Sequence, residues 1–334
     1  MNYDDALEFL VGTYNLAFDR APSEIETGRY MPQLQNNSIS PSQLIHLCLK
    51  SQEYIAKRKI TSIFPMGHYH SPVVDPASVG AYVKLQRSTS ISDLSTITMD
   101  VDIMRQLWLS HLNFSKTHPF SRDPNATDRF RYGDGPFPEG DALALQLILA
   151  ETRPKKVIEI GSGFSTACML DSVDRLGLEN FDLVCIEPDP RRLRSLLRDT
   201  DNITIIDKPV QSVDRSIVDT LEANDILFID STHVMKTGSD VHFEFFHLLP
   251  RLRPGVIVHF HDIFYPFEYP DKWIFDSNYS WNEAYVLRAF LMYNDAFEVI
   301  FWHSLLRRHF SAEMNAELRL ESGNPGGSIW LRRQ

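Results

Sequence analysis

Short apolar runs alternate with longer segments of helical periodicity in the chain from residue 153 onward. The runs cover residues 156–160, 183–186, 203–206, 226–229 and 256–260. Each run is apolar on both faces, which is typical of parallel strands buried between two layers of helices. Beyond a helix predicted at residues 283–292, two final strands are predicted at residues 297–302 and 327–331. The pattern therefore predicts an α/β domain in which helices flank a seven-stranded sheet, with one of the last two strands antiparallel.

The beginning of the chain has a helical pattern instead. Apolar residues recur three and four positions apart in residues 7–14 and again in 44–54, and the stretch between them is rich in helix breakers. Residues 1–58 are therefore predicted to form a small all-helical module. Residues 59–125 are interpreted as a linker with lead-in elements, because their only clear helix lies at 101–108. The α/β domain is expected to occupy residues 126–334, with a strongly apolar helix at 141–150 before the first strand.

Composition and charge exclude several classes of protein. The formal net charge of −11 disfavours binding to nucleic acid through general electrostatics, which requires clustered Lys and Arg. Three scattered cysteines predict neither a disulfide framework nor a thiolate zinc site, so a reducing cytoplasm is expected. The N-terminus is acidic where a signal peptide is basic, and no apolar run reaches the length of a membrane span.

A glycine-rich loop follows the first predicted strand. Gly161 and Gly163 allow the backbone to approach a ligand closely, and the helix that begins after them offers free N–H groups to a carboxylate. Glu187 ends the second strand, where a carboxylate can accept hydrogen bonds from both hydroxyls of a ribose. Position 166 is Thr rather than Gly, so the dinucleotide fingerprint fails and S-adenosylmethionine is favoured over a nicotinamide cofactor. The predicted cofactor contacts are Glu159, Gly161, Ser162, Gly163, Ser165, Thr166, Glu187, Pro188, Gln211 and Asp230.

These motifs in combination resemble a bacterial family of class I S-adenosylmethionine-dependent methyltransferases. The resemblance covers about residues 130–332, and its motifs lie at residues 157–166, 186–188, 225–234, 254–264 and 266–270. It implies a Rossmann-like class I methyltransferase sheet and a methyl-transferring enzyme; many such proteins lie in glycan or natural-product gene clusters. Residues 9–22, 40–44 and 51–54 resemble a short helical domain related to phycobilisome linkers.

Titratable residues are predicted to gather at the ends of the fourth and fifth strands. In catechol O-methyltransferase-like enzymes, an Asp and an Asp-Asn pair hold Mg²⁺ at the positions that match Asp230 and the pair His261 and Asp262 here. The resemblance thus implies a metal site of Asp230, His261 and Asp262, although a His ligand favours weaker Mg²⁺ binding, a transition metal or no metal. His233 replaces a catalytic lysine and is a candidate general base. His259 is predicted to share a face with His261, either as a core residue or as a further member of the site.

Three further predictions concern the surroundings of the site. Asp240 is expected to cap the helix that follows the fourth strand. The aromatic residues of segment 264–269 are expected to lie in a loop over the site and to stack on a sugar or aryl ring. The helical module and residues 302–306 are candidate contact surfaces for a homo-oligomer.

The predicted function is methylation of a hydroxyl group on a small molecule or saccharide. His233 or His261 would remove the hydroxyl proton, while Asp230 and Asp262 orient that base or hold a cation. One alternative is an inactive S-adenosylmethionine-binding scaffold that recruits a partner through the helical module. Another is a nicotinamide oxidoreductase, which the missing third glycine disfavours. The sequence predicts neither nucleic-acid binding nor a membrane span, and it does not identify the acceptor.

Overall fold

The computed structural model describes residues 1–54, 64–117, 120–123, 126–133, 135–318 and 326–334. The chain forms two compact units, Met1–Asp75 and Pro76–Gln334. The predicted boundaries at residues 58 and 125 lie outside the described residues. The segment predicted as linker and lead-in, residues 59–125, is divided between the two units.

The first unit is helical, as predicted. Its helices are α1 (Tyr3–Phe18), α2 (Glu24–Gln35) and α3 (Pro41–Lys50). Helix α2 lies in the stretch that was expected to break helices, because Ser23 and Glu26 form a reciprocal capping box that starts it. Buried Leu10, Leu34 and Leu44, one from each helix, belong to a small separate core.

The second unit contains the sheet and its flanking helices. Its helices are α4 (Pro76–Arg87), α5 (Val101–Thr117), α6 (Glu139–Thr152), α7 (Phe164–Leu176), α8 (Arg191–Leu196), α9 (Asp240–Phe243), α10 (Glu283–Leu291) and α11 (His303–Leu318). Its strands are β1 (Lys156–Ile160), β2 (Asp182–Ile186), β3 (Thr204–Ile206), β4 (Ile226–Ile229), β5 (Ile257–Phe260), β6 (Phe297–Trp302) and β7 (Ile329–Arg333). Short 3₁₀ turns lie at Ile91–Leu94, Val210–Ser212, Arg215–Thr220 and Leu249–Arg251, and π turns at Glu244–Leu248 and Lys272–Asp276.

The seven strands form one sheet in the order β3-β2-β1-β4-β5-β7-β6. Strands β1 to β5 are parallel, whereas β7 pairs antiparallel with both β5 and β6. The predicted Rossmann-like class I methyltransferase sheet, including one antiparallel strand, is therefore confirmed. The strand order reverses beside β1, which lies between β2 and β4, and open α/β sheets bind ligands at such a switch point.

Residues 302–306 belong to the core of this unit rather than to a contact surface. Trp302, Leu305 and Leu306 are each no more than 1% exposed. The indole Nε1 of Trp302 donates a 2.8 Å hydrogen bond to the carbonyl of Ile263. The prediction of an oligomer surface there is therefore wrong for these side chains. In the described part of the chain, no helix combines the length and the hydrophobicity that crossing a bilayer requires.

Candidate active site

The register of the sheet places four polar or glycine positions side by side. Ile160 of β1 pairs with Ile186 of β2 and with Ile229 of β4, and Ile229 pairs with Phe260 of β5. Because these residues end four adjacent parallel strands, the next residue of each strand lies at the same edge of the sheet. Those next residues are Gly161, Glu187, Asp230 and His261.

Gly161 is required where β1 and β4 meet. Its φ is +78°, in the region that favours glycine, and a Cβ atom there would lie 1.9 Å from the carbonyl oxygen of Asp230. No side chain fits that space. The glycine therefore allows the loop after β1 to pass directly against the loop that carries Asp230.

Glu159 supports the glycine loop from inside the protein. Its buried carboxylate accepts a 2.7 Å hydrogen bond from Ser165 Oγ and another from Thr166 Oγ1, and Thr166 Oγ1 accepts one of 3.0 Å from the Gly163 amide. Burial raises the pKa of Glu159 to about 7, against the opposing effect of these hydrogen bonds. Glu159 and Thr166, both predicted cofactor contacts, thus fix the start of α7 and are not among the residues that line the cavity.

A cavity of about 230 Å³ lies above this edge of the sheet. Its lining residues come from the glycine loop, the ends of β2, β4 and β5, helix α8 and the segment before α6. They are Pro136, Phe137, Gly161, Ser162, Gly163, Phe164, Ser165, Glu187, Arg192, Asp230, His261 and Asp262. Eight of the predicted site residues are therefore brought together, whereas Arg192, Phe137, Pro136 and Phe164 were missed.

Glu187 faces the glycine loop, as its predicted role requires. Its Oε2 accepts a 3.1 Å hydrogen bond from the amide of Ser162, and its Oε1 accepts one of 2.9 Å from the amide of Asp189. Each carboxylate oxygen retains capacity for a further hydroxyl donor. Pro188 and Gln211 are not among the lining residues, and the Gln211 amide donates a 3.0 Å hydrogen bond to the Gly238 carbonyl.

His233 is held by a carboxylate that the sequence analysis did not select. Its Nδ1 lies 2.8 Å from Oε2 of Glu283, while its Nε2 lies 3.6 Å from both Asp230 Oδ1 and Asp262 Oδ2. Burial lowers the pKa of His233, but the hydrogen bond and charge of Glu283 outweigh it and the pKa is raised. His233 also has φ +61°, a strained conformation that is commonest at functional sites.

His261 is a buried cation among carboxylates. Burial lowers its pKa, but Asp230, Asp262 and Asp141 raise it to about 9. Its Nε2 lies 3.7 Å from Asp262 Oδ1, and its ring stacks on Phe137 at a centroid distance of 5.4 Å. Burial raises the pKa of Asp262 to about 6 despite the two histidines. The surrounding carboxylates therefore favour the protonated form of His261.

Asp141 and Glu244 are two further buried acids near the site. Both oxygens of Asp141 accept 3.1 Å hydrogen bonds from the amide of Gly327, and burial raises the pKa of Asp141. Glu244 accepts a 3.2 Å hydrogen bond from Ser231 Oγ, and burial raises its pKa well above the usual range, which favours the neutral acid. Asp141 lies in α6 and Glu244 begins the π turn after α9, and neither is among the predicted site residues.

Asp240 begins helix α9 but does not cap it. The cap is Ser239, whose hydroxyl accepts a hydrogen bond from the amide of His242. Asp240 instead accepts hydrogen bonds of 3.0 and 2.7 Å from the amide and hydroxyl of Thr232. The capping prediction is thus wrong, and Asp240 fixes the loop that contains His233.

His259 and two of the loop aromatics belong to the core. The His259 ring stacks on Phe228 at a centroid distance of 3.8 Å, and burial lowers its pKa well below the usual value. Phe267 and Tyr269 are 2% and 3% exposed, and Phe267 packs against Trp302. The prediction that aromatics of segment 264–269 lie open over the site is therefore wrong for Phe267 and Tyr269.

The predicted metal site is not supported. Among the residues that the structure describes, no group of three or more His, Cys, Asp or Glu side chains is arranged to hold a metal ion. Nε2 of His261 lies 3.7 Å from Asp262 Oδ1, so these two side chains form an ion pair when the imidazole is protonated.

Comparison with known protein families gives two matches in sequence. Residues 158–263 match a family described as Methyltransferase domain. A relative in Archaeoglobus fulgidus, described as an uncharacterized protein, is 30% identical over 176 residues, which make up 50% of this chain and 77% of the archaeal protein.

Solved structures give more distant matches. The SAH-bound methyltransferase PaMTH1 of Podospora anserina is 15% identical, with 82% of this chain and 99% of that chain covered and a TM-score of 0.38. The O-methyltransferase of Bacillus cereus, in complex with SAH, is 14% identical. The match covers 77% of this chain and 97% of that chain, with a TM-score of 0.38. At TM-scores this low, neither similarity supports an argument about activity.

Proposed function

Because the chain belongs to the same family as the Archaeoglobus fulgidus protein and contains a methyltransferase domain, we propose that it is an S-adenosylmethionine-dependent methyltransferase. We propose further that its acceptor is a hydroxyl group on a small molecule or saccharide. The observation that carries the proposal is one cavity with the glycine loop and Glu187 on one side and Asp230, His261 and Asp262 on the other.

The residues present fit the cofactor. Gly161 and Gly163 have no side chains, so the backbone of the loop can approach a ligand closely, and the first turn of α7 offers N–H groups to the methionine carboxylate. Glu187 supplies acceptors for the ribose hydroxyls. When bound, the cofactor supplies an electrophilic methyl group on sulfur.

His233 is the residue best placed to remove the acceptor proton. His233 is not among the residues that line the cavity, but Glu283 holds its Nδ1, and its Nε2 lies 3.6 Å from Asp230 and from Asp262, which do line it. The proton would move from the acceptor hydroxyl to Nε2, and the Glu283 carboxylate would stabilise the resulting imidazolium. His261, the other candidate base, is already protonated at neutral pH and is better suited to balancing the charge of Asp230 and Asp262.

Calorimetric titration with S-adenosylhomocysteine tests the cofactor, and release of S-adenosylhomocysteine with hydroxyl acceptors tests the reaction. We expect binding with a dissociation constant on the order of micromolar. Absence of binding would reject the proposal. Binding without methyl transfer to any hydroxyl acceptor would favour the inactive scaffold instead.

A further inference from the structure

A second cavity, here called the loop pocket, lies beside the segment that follows Asp262. Its volume is about 460 Å³, within the range of small-molecule sites. Its walls include Phe264 and Tyr265, and its charged residues are Arg87, Glu268, Asp271 and Arg308. It shares no lining residue with the cavity at the glycine loop.

Contacts within the protein hold three of the four charged residues of the loop pocket, Arg87, Glu268 and Asp271, in place. Arg87 forms a 2.6 Å ion pair with Asp271 and donates a 2.7 Å hydrogen bond to the carbonyl of Tyr269. Glu268 is 5% exposed, and its Oε1 accepts hydrogen bonds of 2.6 Å from the Tyr285 hydroxyl and 2.9 Å from the Tyr269 amide. The position of the Glu268 carboxylate is therefore fixed independently of any ligand.

Two polar groups remain available in the loop pocket. Within the described residues, Oε2 of Glu268 accepts no hydrogen bond and Arg308 forms no ion pair. The pocket thus offers a carboxylate acceptor and a guanidinium donor to a ligand. Its two arginines and two carboxylates carry no net formal charge.

The aromatic wall of the loop pocket is also fixed. The Tyr265 hydroxyl donates a 3.0 Å hydrogen bond to the carbonyl of Thr89, and its ring packs edge-on against Trp302 and His309. Phe264 packs edge-on against Trp273. These half-buried rings offer an apolar surface beside the charged groups.

We propose that the loop pocket binds an uncharged, polyhydroxylated ring, the saccharide portion of the methyl acceptor. An anion would meet Glu268, a cation would meet Arg308, and a plain aryl ring would desolvate both without pairing either. A ring with several hydroxyl groups supplies donors and acceptors together, and its C–H face packs on the aromatic wall.

The location of the loop pocket agrees with a role in acceptor binding. Phe264 follows Asp262 by two residues, so their Cα atoms are at most about 7 Å apart. A ring held in the pocket therefore lies beside the segment that carries Asp262. This assignment rests on the proposed function, since it names the acceptor of that reaction.

Saturation-transfer NMR on the full chain tests the assignment. The probes are the methyl glycosides of glucose, galactose and mannose, myo-inositol, and phenol as the aryl comparison. Glu268→Gln and Arg308→Met change the pocket, while Glu222→Gln and Arg215→Met are matched controls at exposed positions. Titration with S-adenosylhomocysteine on every variant reports separately on the cofactor cavity.

We expect saturation transfer from the protein to at least one polyhydroxylated probe in the wild type and in both control variants. Its affinity should fall by about tenfold or more in either pocket variant, with cofactor affinity unchanged. Three results would each overturn the assignment. They are the absence of saturation transfer to every polyhydroxylated probe, saturation transfer to phenol alone, and saturation transfer in the pocket variants equal to that in the wild type. Absence of S-adenosylhomocysteine binding to the wild type would instead reject the proposed function.

Discussion

Glu283 Oε2 lies 2.8 Å from Nδ1 of His233, although fifty residues separate the two in the chain. When Glu283 is ionised it only accepts hydrogen bonds, so Nδ1 is the donor of the pair and Nε2 of the neutral imidazole is left to accept a proton. The two side chains are buried together beside the ends of β4 and β5. The pair therefore sets both the orientation and the basicity of the imidazole.

Replacement of Glu283 by Gln should lower the pKa of His233. Since the pKa of His233 is raised in the native protein, the rate of methyl transfer should rise with pH through that pKa as the neutral base forms. In Glu283→Gln, the rise should move to lower pH and kcat should fall by at least about tenfold. NMR titration of the His233 ring and the pH profile of kcat measure the two effects.

Glu298→Gln provides the matched control, because Glu298 lies on β6 and its carboxylate accepts a 2.9 Å hydrogen bond from the side-chain amide of the exposed Gln334. The His233–Glu283 pair contributes to the free energy of unfolding. That contribution should be fully present at pH values below the ordinary histidine pKa and should be lost as the pH rises through the raised pKa of His233. An unchanged His233 pKa in Glu283→Gln would contradict the assigned role.

Alanine at Gly161 should damage the site far more than alanine at another left-handed glycine. Gly177 has φ +57° with nothing within 4 Å of its Cβ position, so Gly177→Ala should cost about 1–2 kcal/mol. Gly161→Ala adds a backbone clash and should cost about 3 kcal/mol or more. Urea unfolding measures both, and S-adenosylhomocysteine binding should be lost only in Gly161→Ala. Equal costs would show that the close approach to Asp230 is not required.

Removal of the Glu187 carboxylate should weaken binding of S-adenosylhomocysteine. Loss of hydrogen bonds from the ribose to a charged acceptor should lower the affinity of Glu187→Ala by about 10- to 100-fold. Asp189→Asn is the control, because this neighbouring side chain is exposed and pairs with Arg191. Calorimetry measures both, and similar affinities in the two variants would place the ribose elsewhere.

Arg129 should be important for stability. Its side chain is 5% exposed and pairs with Asp171 at 2.8 Å, with Asp174 at 2.7 Å and with Asp201. Arg129→Met removes the best-placed cation from the buried carboxylates of Asp171 and Asp201 and should destabilise the protein by about 3 kcal/mol. Arg191→Met, at a side chain that is 88% exposed, should leave the unfolding midpoint nearly unchanged. Thermal unfolding distinguishes the two, and equal midpoints would contradict the prediction.

The strands were predictable because their apolar runs are bounded by turn residues. The observed bounds of β1, β4 and β6 match the predicted ones, and those of β2, β3 and β5 differ by one residue at one end. The central strands β1, β4 and β5 are almost fully buried, so their apolar runs are a strong, local signal, whereas the edge strand β3 is at most half-buried. The glycine loop was equally local, because Gly161, Ser162 and Gly163 directly follow β1.

The buried acids of the site gave no such signal. Glu283 is the first residue of α10, and Asp141 lies in the first turn of α6. Acidic residues are common there because they interact favourably with the helix dipole, so both look like ordinary helix starts. Only the tertiary packing brings Glu283 to His233 and Asp141 toward His261. Residues 302–306 were misassigned for a similar reason, since packing elsewhere in the chain buries them.

The position of β7 between β5 and β6 makes the sheet depend on the strand that follows all the others in sequence. Strands β1 to β5 pair with one another without it, whereas β6 pairs only with β7 among the named strands. Without residues 329–333, one edge of β5 is exposed and the apolar residues of β6 have no sheet to join. A chain that ends before residue 329 would therefore have an open, aggregation-prone edge on β5.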